Sequence, residues 1–171
     1  MGAAMDGVKT GVFEGRGAYE EALRSGLLAL CAQGSREIFC VAEDFTDWPL
    51  SDRAVVDALT QWARRGRTLH LMARNFDAIR QRHPRFVQWR TTYDHCVDAR
   101  EHEPESEDTR APKAALFEAG GLERLSVRLF DEGHFRGALN LDAGDALRLQ
   151  EWFDVLVQRS TPAFPASTLG L

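Results

Sequence analysis

With 171 residues, 44% of them hydrophobic and 27% charged, the chain has the size and apolar content of one folded domain, which excludes disorder over most of its length. Its net charge of -5 does not by itself point to nucleic acid as a partner. No apolar run reaches the roughly 18 residues that span a bilayer, and residues 1–6 lack the basic and apolar regions of a secretory signal. A cytoplasmic protein with no membrane partner is expected. Cys31, Cys40 and Cys96 are widely spaced and odd in number, so they read as reduced cysteines rather than a disulfide framework.

In chain order, Tyr19, Leu23, Leu27 and Leu30 recur at helical spacing over 18–33, and Gly34 stands at the left-handed cap position. The short apolar run 38–42 suits a strand buried on both faces. After a loop over 43–50, Ser51 is the expected N-cap of a second helix whose stripe is Val55, Leu59 and Trp62, ending before Gly66. Residues 68–73 alternate as a strand, completing a parallel strand-helix-strand unit. A helical stretch after Asn75 should break at Pro84, which lacks an N–H, with a second piece over 84–93.

Residues 96–103 read as a strand and 103–112 as an exposed loop. Segments 114–118, 125–130 and 135–141, separated by Gly120-Gly121 and by a turn over 131–133, form an antiparallel meander. Asp142 is placed to cap a last helix carrying Leu149, Trp152, Phe153 and Leu156, ahead of a tail over 161–171. The expected fold is one α/β domain over 1–160, a mixed β-sheet flanked by helices.

The segment Arg124-Leu-Ser-Val-Arg-Leu-Phe-Asp131 followed by Gly137-Ala-Leu-Asn140 resembles one half of the phospholipase D superfamily, whose signature is H-x-K-x4-D followed by G-S-x-N. Asp131, Gly137 and Asn140 fall on motif positions, while Arg124 replaces the histidine and Ser126 the lysine. The strand-helix-strand over 38–74, with Gly66 between helix and second strand, resembles the start of such a half, and the C-terminal pattern over 135–171 is similar to bacterial proteins carrying degenerate domains of this kind. The resemblance implies a phospholipase D-like half-domain that pairs as a homodimer around a relic pocket of Arg124, Ser126, Asp131, Gly137 and Asn140. A guanidinium can hold a phosphate-containing ligand but cannot attack one, so the resemblance implies a non-catalytic binding or interaction module, a pseudo-enzyme without cofactor.

Two alternatives stand beside it. His134 and Arg136 with Asp142 mimic the lost motif and would support a residual phosphodiesterase or nuclease. The arginines between Arg64 and Arg90, interleaved with Phe86 and Trp89 and followed by Tyr93, could contact a nucleic-acid backbone. Against this, the same arginines could pair with the acidic segment after Asp94, and the overall negative charge favours that pairing. His95, Cys96, Asp98, Glu101 and His102 gather metal-ligand types without metal-site spacing, so no metal is expected.

Overall fold

The structure is a computed structural model in which residues 5, 7–103, 111–120 and 124–166 are described. Its centre is an eight-stranded mixed sheet in the order β1-β7-β6-β5-β2-β3-β4-β8. The strands are β1 Gly11–Phe13, β2 Glu37–Val41, β3 Thr68–Ala73, β4 Val97–His102, β5 Ala114–Glu118, β6 Ser126–Asp131, β7 Arg136–Asn140 and β8 Ser160–Pro162. The helices are α1 Arg16–Gln33, α2 Arg53–Trp62, α3 Asp77–Arg82, α4 Pro84–Thr92 and α5 Ala143–Gln158. The expected α/β class is therefore the observed one.

The apolar runs become strands covered on both sides. Ile38 and Cys40 of β2, with Leu69, Leu71, Leu116, Val127 and Leu139, face the core under α1, α2 and α4. Their neighbours Phe39 and Val41, with Met72, Ala115 and Phe117, face Leu149 and Phe153 of α5 on the other side. Period-two alternation between two cores explains why these strands read as nearly continuous hydrophobic segments. The β2-α2-β3 unit pairs in parallel, whereas β5, β6 and β7 form the antiparallel meander.

Local chemistry sets most boundaries. Gly34 ends α1 at φ 74°, a conformation glycine adopts without penalty. Asp142 caps α5 by accepting from Gly144 N. At α2 the cap is Asp52 rather than Ser51, because its carboxylate accepts from Ala54 N and Val55 N while the Ser51 hydroxyl donates to the Arg82 carbonyl. The helical stretch after Asn75 does break at Pro84, which becomes the first residue of α4.

Some features depart from expectation. Residues 94–96 form a 3₁₀ turn and β4 begins at Val97, so Cys96 is not on the strand. β1 has only three residues, too few to show a period, and is held by β7. The segment expected as a tail from 161 instead supplies β8, which pairs with β4, and Phe164, which is buried in the main core. The loop expected over 103–112 and the Gly120-Gly121 turn lie largely outside the described residues. No helix among the described residues is long and apolar enough to cross a membrane.

Candidate functional site

The hairpin β6–β7 carries the residues singled out as a relic pocket, and it distributes them. Ser126 at the start of β6 is buried and donates to Asn140 Oδ1 at 3.3 Å, its register partner on β7. The Asn140 amide donates to Asp145 at 2.7 Å, and its oxygen also accepts from Asp142 N at 3.0 Å. These bonds tie the end of the hairpin to the start of α5. Asp131 lies at the other end of β6, five residues and about 16 Å along an extended strand.

There Asp131 faces His134 Nδ1 at 2.9 Å on an exposed turn, and that bond holds its carboxyl below the usual range. Arg124 precedes the strand and donates to the Glu118 carbonyl at 3.1 Å. Gly137 is small for a packing reason, since a Cβ there would run into the Arg128 carbonyl and the Phe13 ring. Of the weaker set, Arg136 pairs with Glu14 at 2.8 Å and Asp142 is the α5 cap, so His134, Arg136 and Asp142 do not converge.

The arginine-rich segment has a different geometry. α2 and α4 lie side by side with their N-termini at the same end, because Ser51 reaches the Arg82 carbonyl and Arg85 donates to the Ser51 carbonyl at 3.4 Å. Their C-terminal ends meet where Cys96 Sγ contacts the Arg64 carbonyl at 3.5 Å. Between them runs an open groove of about 390 Å³ lined by Arg53, Asp57 and Thr60 of α2 and by Arg85, Gln88 and Thr92 of α4. Trp89 forms part of the wall, and its indole N–H has no acceptor among the described residues.

His83 sets this arrangement. It is buried at the junction of α3 and α4, and Nε2 lies 3.0 Å from the Phe45 carbonyl, which can only accept, so Nε2 carries the proton. Burial, with the Arg82 charge, holds its pKa below the ordinary histidine value even though the Phe45 bond acts the other way. The ring fixes the loop after β2 against the start of α4, with Nδ1 2.8 Å from the Ser51 hydroxyl.

The arginines of this region divide into two groups. Arg90 is buried and structural, donating to the Phe164 carbonyl at 2.7 Å and to Asp94 at 2.6 Å. Arg74 pairs with Glu43, and Arg80 with Asp77. By contrast Arg53, Arg64, Arg65, Arg82 and Arg85 are exposed, and no carboxylate among the described residues lies within ion-pair distance of them. Arg53 and Arg85 line the groove and Arg82 lies just before α4, whereas Arg64 and Arg65 follow the C-terminus of α2, about 15 Å along its ten residues, and Arg64 lines a separate hollow with Arg67 beside α1.

Of the expected pairing with the acidic segment after Asp94, the described residues show the Arg90–Asp94 pair, and Glu105, Glu107 and Asp108 lie outside them. Arg53 was outside the arginine run and was missed. The polar stripe Arg53, Asp57 and Thr60, opposite Val55, Leu59 and Trp62, is the signal that could have found it. Among the described residues no group of three or more His, Cys, Asp and Glu is arranged to hold a metal ion, and Asp98 instead lies 3.4 Å from His70.

No protein-family model matches the chain, and no curated protein matches it. Among solved structures it is similar to TrmBL2, an archaeal chromatin protein described with a novel mode of DNA binding. The TM-score is 0.58 at 11% identity, covering 95% of this chain and 58% of that one. The chain thus spans a little over half the length of that protein, and at this identity the likeness is one of fold. It corrects the phospholipase D assignment and the phosphate-pocket function drawn from it. That assignment rested on Asp131, Gly137 and Asn140, and the hairpin explains each of these by turn, packing and helix-anchoring roles.

Proposed function

We propose that the chain is a non-catalytic DNA-binding module that grips the phosphate backbone through the face formed by α2 and α4. The exposed guanidiniums of Arg53 and Arg85 in the groove, with those of Arg82 just before α4 and of Arg64 and Arg65 just after α2, none with a carboxylate partner among the described residues, carry the proposal. An arginine already neutralised by a carboxylate has little to offer a phosphate, whereas these would release counterions from DNA on contact. α4 adds its N-terminus at the same end, where no side chain caps the first backbone N–H groups, so the helix dipole also favours an anion. The fold likeness to a chromatin protein supports the same partner.

Contacts of this kind read backbone charge rather than base edges, so weak sequence preference is expected. The test is fluorescence anisotropy of a labelled duplex with the full chain at low salt. Arg53→Gln with Arg85→Gln, and separately Arg64→Gln with Arg65→Gln, should each weaken binding by at least about tenfold. Arg148→Gln on α5, across the sheet and already paired with Asp145, should change affinity little. Equal affinity of all three variants, or no binding at low salt, would remove the proposal.

A further inference from the structure

Ser51 ties the start of α2 to the corner between α3 and α4, and His83 is bonded into the same junction. Ser51 Oγ lies 2.9 Å from the Arg82 carbonyl and 2.8 Å from His83 Nδ1, and the Ser51 carbonyl accepts from Arg85 at 3.4 Å. On the far side of the ring, Nε2 lies 3.0 Å from the carbonyl of Phe45, a residue held at φ 63° in the loop after β2. A buried imidazole, 6% exposed, thus sits between the elements that carry Arg53, Arg82 and Arg85.

Donor and acceptor counting makes this junction sensitive to one proton. A carbonyl can only accept, so Phe45 requires Nε2–H, and in the neutral ring Nδ1 is then a bare acceptor. The Ser51 hydroxyl has a single proton, for which Nδ1 and the Arg82 carbonyl compete, and one of the two goes without. In the imidazolium Nδ1 donates to Ser51 Oγ, and the hydroxyl proton is left for the Arg82 carbonyl. The chain from Phe45 through His83 and Ser51 to Arg82 is then complete, and its bonds to the charged ring are the stronger kind.

Burial opposes the charged ring most, the Phe45 bond favours it, and the Arg82 charge opposes it. The other charged groups on the elements packed around the ring are Asp77 and Arg80 of α3, Arg85 of α4, Asp52 and Arg53 at the start of α2, and Asp44 and Asp47 in the loop after β2. Asp77 and Arg80 pair with each other, Asp47 pairs with Arg16, Asp52 pairs with Arg24 while capping α2, and Asp44 accepts from Thr46 N. Arg82 is the charge that bears on the ring. A phosphate docked at Arg82 and Arg85 reverses this balance, because its negative charge offsets the guanidinium that repels the proton.

We propose that His83 is a positioning residue of the phosphate grip, taking up a proton from solvent when a DNA phosphate docks at Arg82 and Arg85 and so completing the hydrogen-bond chain that fixes α2 against α4. The inference rests on the reading of the α2–α4 face as a backbone-binding surface. By linkage, a bound chain that holds this proton more tightly than the free one gains affinity as pH falls through the histidine range.

The experiment measures anisotropy of a labelled duplex with the full chain at about pH 7.5 and about pH 5.5, at equal ionic strength. Over that interval the native chain should gain at least about threefold more affinity than His83→Gln, which cannot take up the proton but whose amide can still donate to the Phe45 carbonyl. Ser51→Ala, at a half-buried position, leaves Nδ1–H without its acceptor and should lose the same excess, which keeps the test open if the buried substitution unfolds the chain. Circular dichroism at both pH values checks that each variant is folded. Protonation of the other histidines and of the carboxylates is common to all three chains and cancels in the comparison. A native gain equal to that of either folded variant would overturn the inference and leave backbone binding in place. Absence of DNA binding at both pH values would remove the backbone-binding proposal and this inference with it.

Discussion

Glu118 is the clearest case of one residue whose environment sets its chemistry. Only 4% exposed, it accepts from Gln33 at 2.6 Å, Ser35 at 3.0 Å and Leu125 N at 3.1 Å. Burial nevertheless raises its pKa, outweighing those bonds and the Arg124 charge. The folded state therefore holds this proton more tightly than the unfolded chain does. Its contribution to stability is full below the ordinary value of 4.5 and is lost as pH rises through the elevated folded value. Glu118→Gln, which cannot ionise, should remove that dependence. Between about pH 5 and about pH 8 the urea midpoint of the native chain should fall relative to that of the variant. Parallel midpoints would show that Glu118 keeps its charge over the whole range. The constant cost of turning an amide toward Leu125 N–H does not affect this comparison.

At the level of elements, the C-terminal strand is where local pattern and tertiary structure diverge most. Phe164 stacks on Phe76 at 5.0 Å, lies under the guanidiniums of Arg80 and Arg90 at 5.3 and 5.5 Å, and gives its carbonyl to Arg90. Phe164→Ala should thus cost about 3 kcal/mol in equilibrium unfolding, and a loss below about 1 kcal/mol would mean the segment is dispensable. In a stretch of prolines and threonines, one phenylalanine has no period, so the sequence reads as a tail. The opposite holds for α1, α2, β2 and β3, whose apolar spacing over several turns or residues is a local property and was legible. The meander was legible from its turns, but three-residue β1 was not. The candidate site was half legible: the arginine run is visible as a composition shift, whereas the pairing of Arg90 with Phe164 and of Arg85 with the Ser51 carbonyl depends on distant segments.

Across the whole molecule, a net charge of -5 and a DNA-binding surface are compatible because charge is segregated rather than averaged. Arg53 and Arg85, with no ion-pair partner among the described residues, line the groove between α2 and α4, whereas Glu43, Asp44, Asp47 and Glu132 lie together beyond the carboxyl end of β2. Screening over a Debye length of about 8–10 Å near physiological salt makes a bound phosphate respond mainly to the arginines beside it. If Arg53, Arg64, Arg65, Arg82 and Arg85 each take one phosphate, the logarithm of the binding constant should fall with the logarithm of salt at a slope of about -4.5. Raising salt from about 50 mM to about 200 mM would then weaken binding roughly 500-fold, largely irrespective of duplex sequence. Arg53→Gln with Arg85→Gln should reduce the slope by about 2, because two phosphate contacts are lost and no base contact changes. A slope no steeper than about -2.7 in the native chain would mean that the two arginine clusters do not engage one duplex together, since Arg53, Arg82 and Arg85 alone account for about -2.7 and Arg64 with Arg65 for about -1.8.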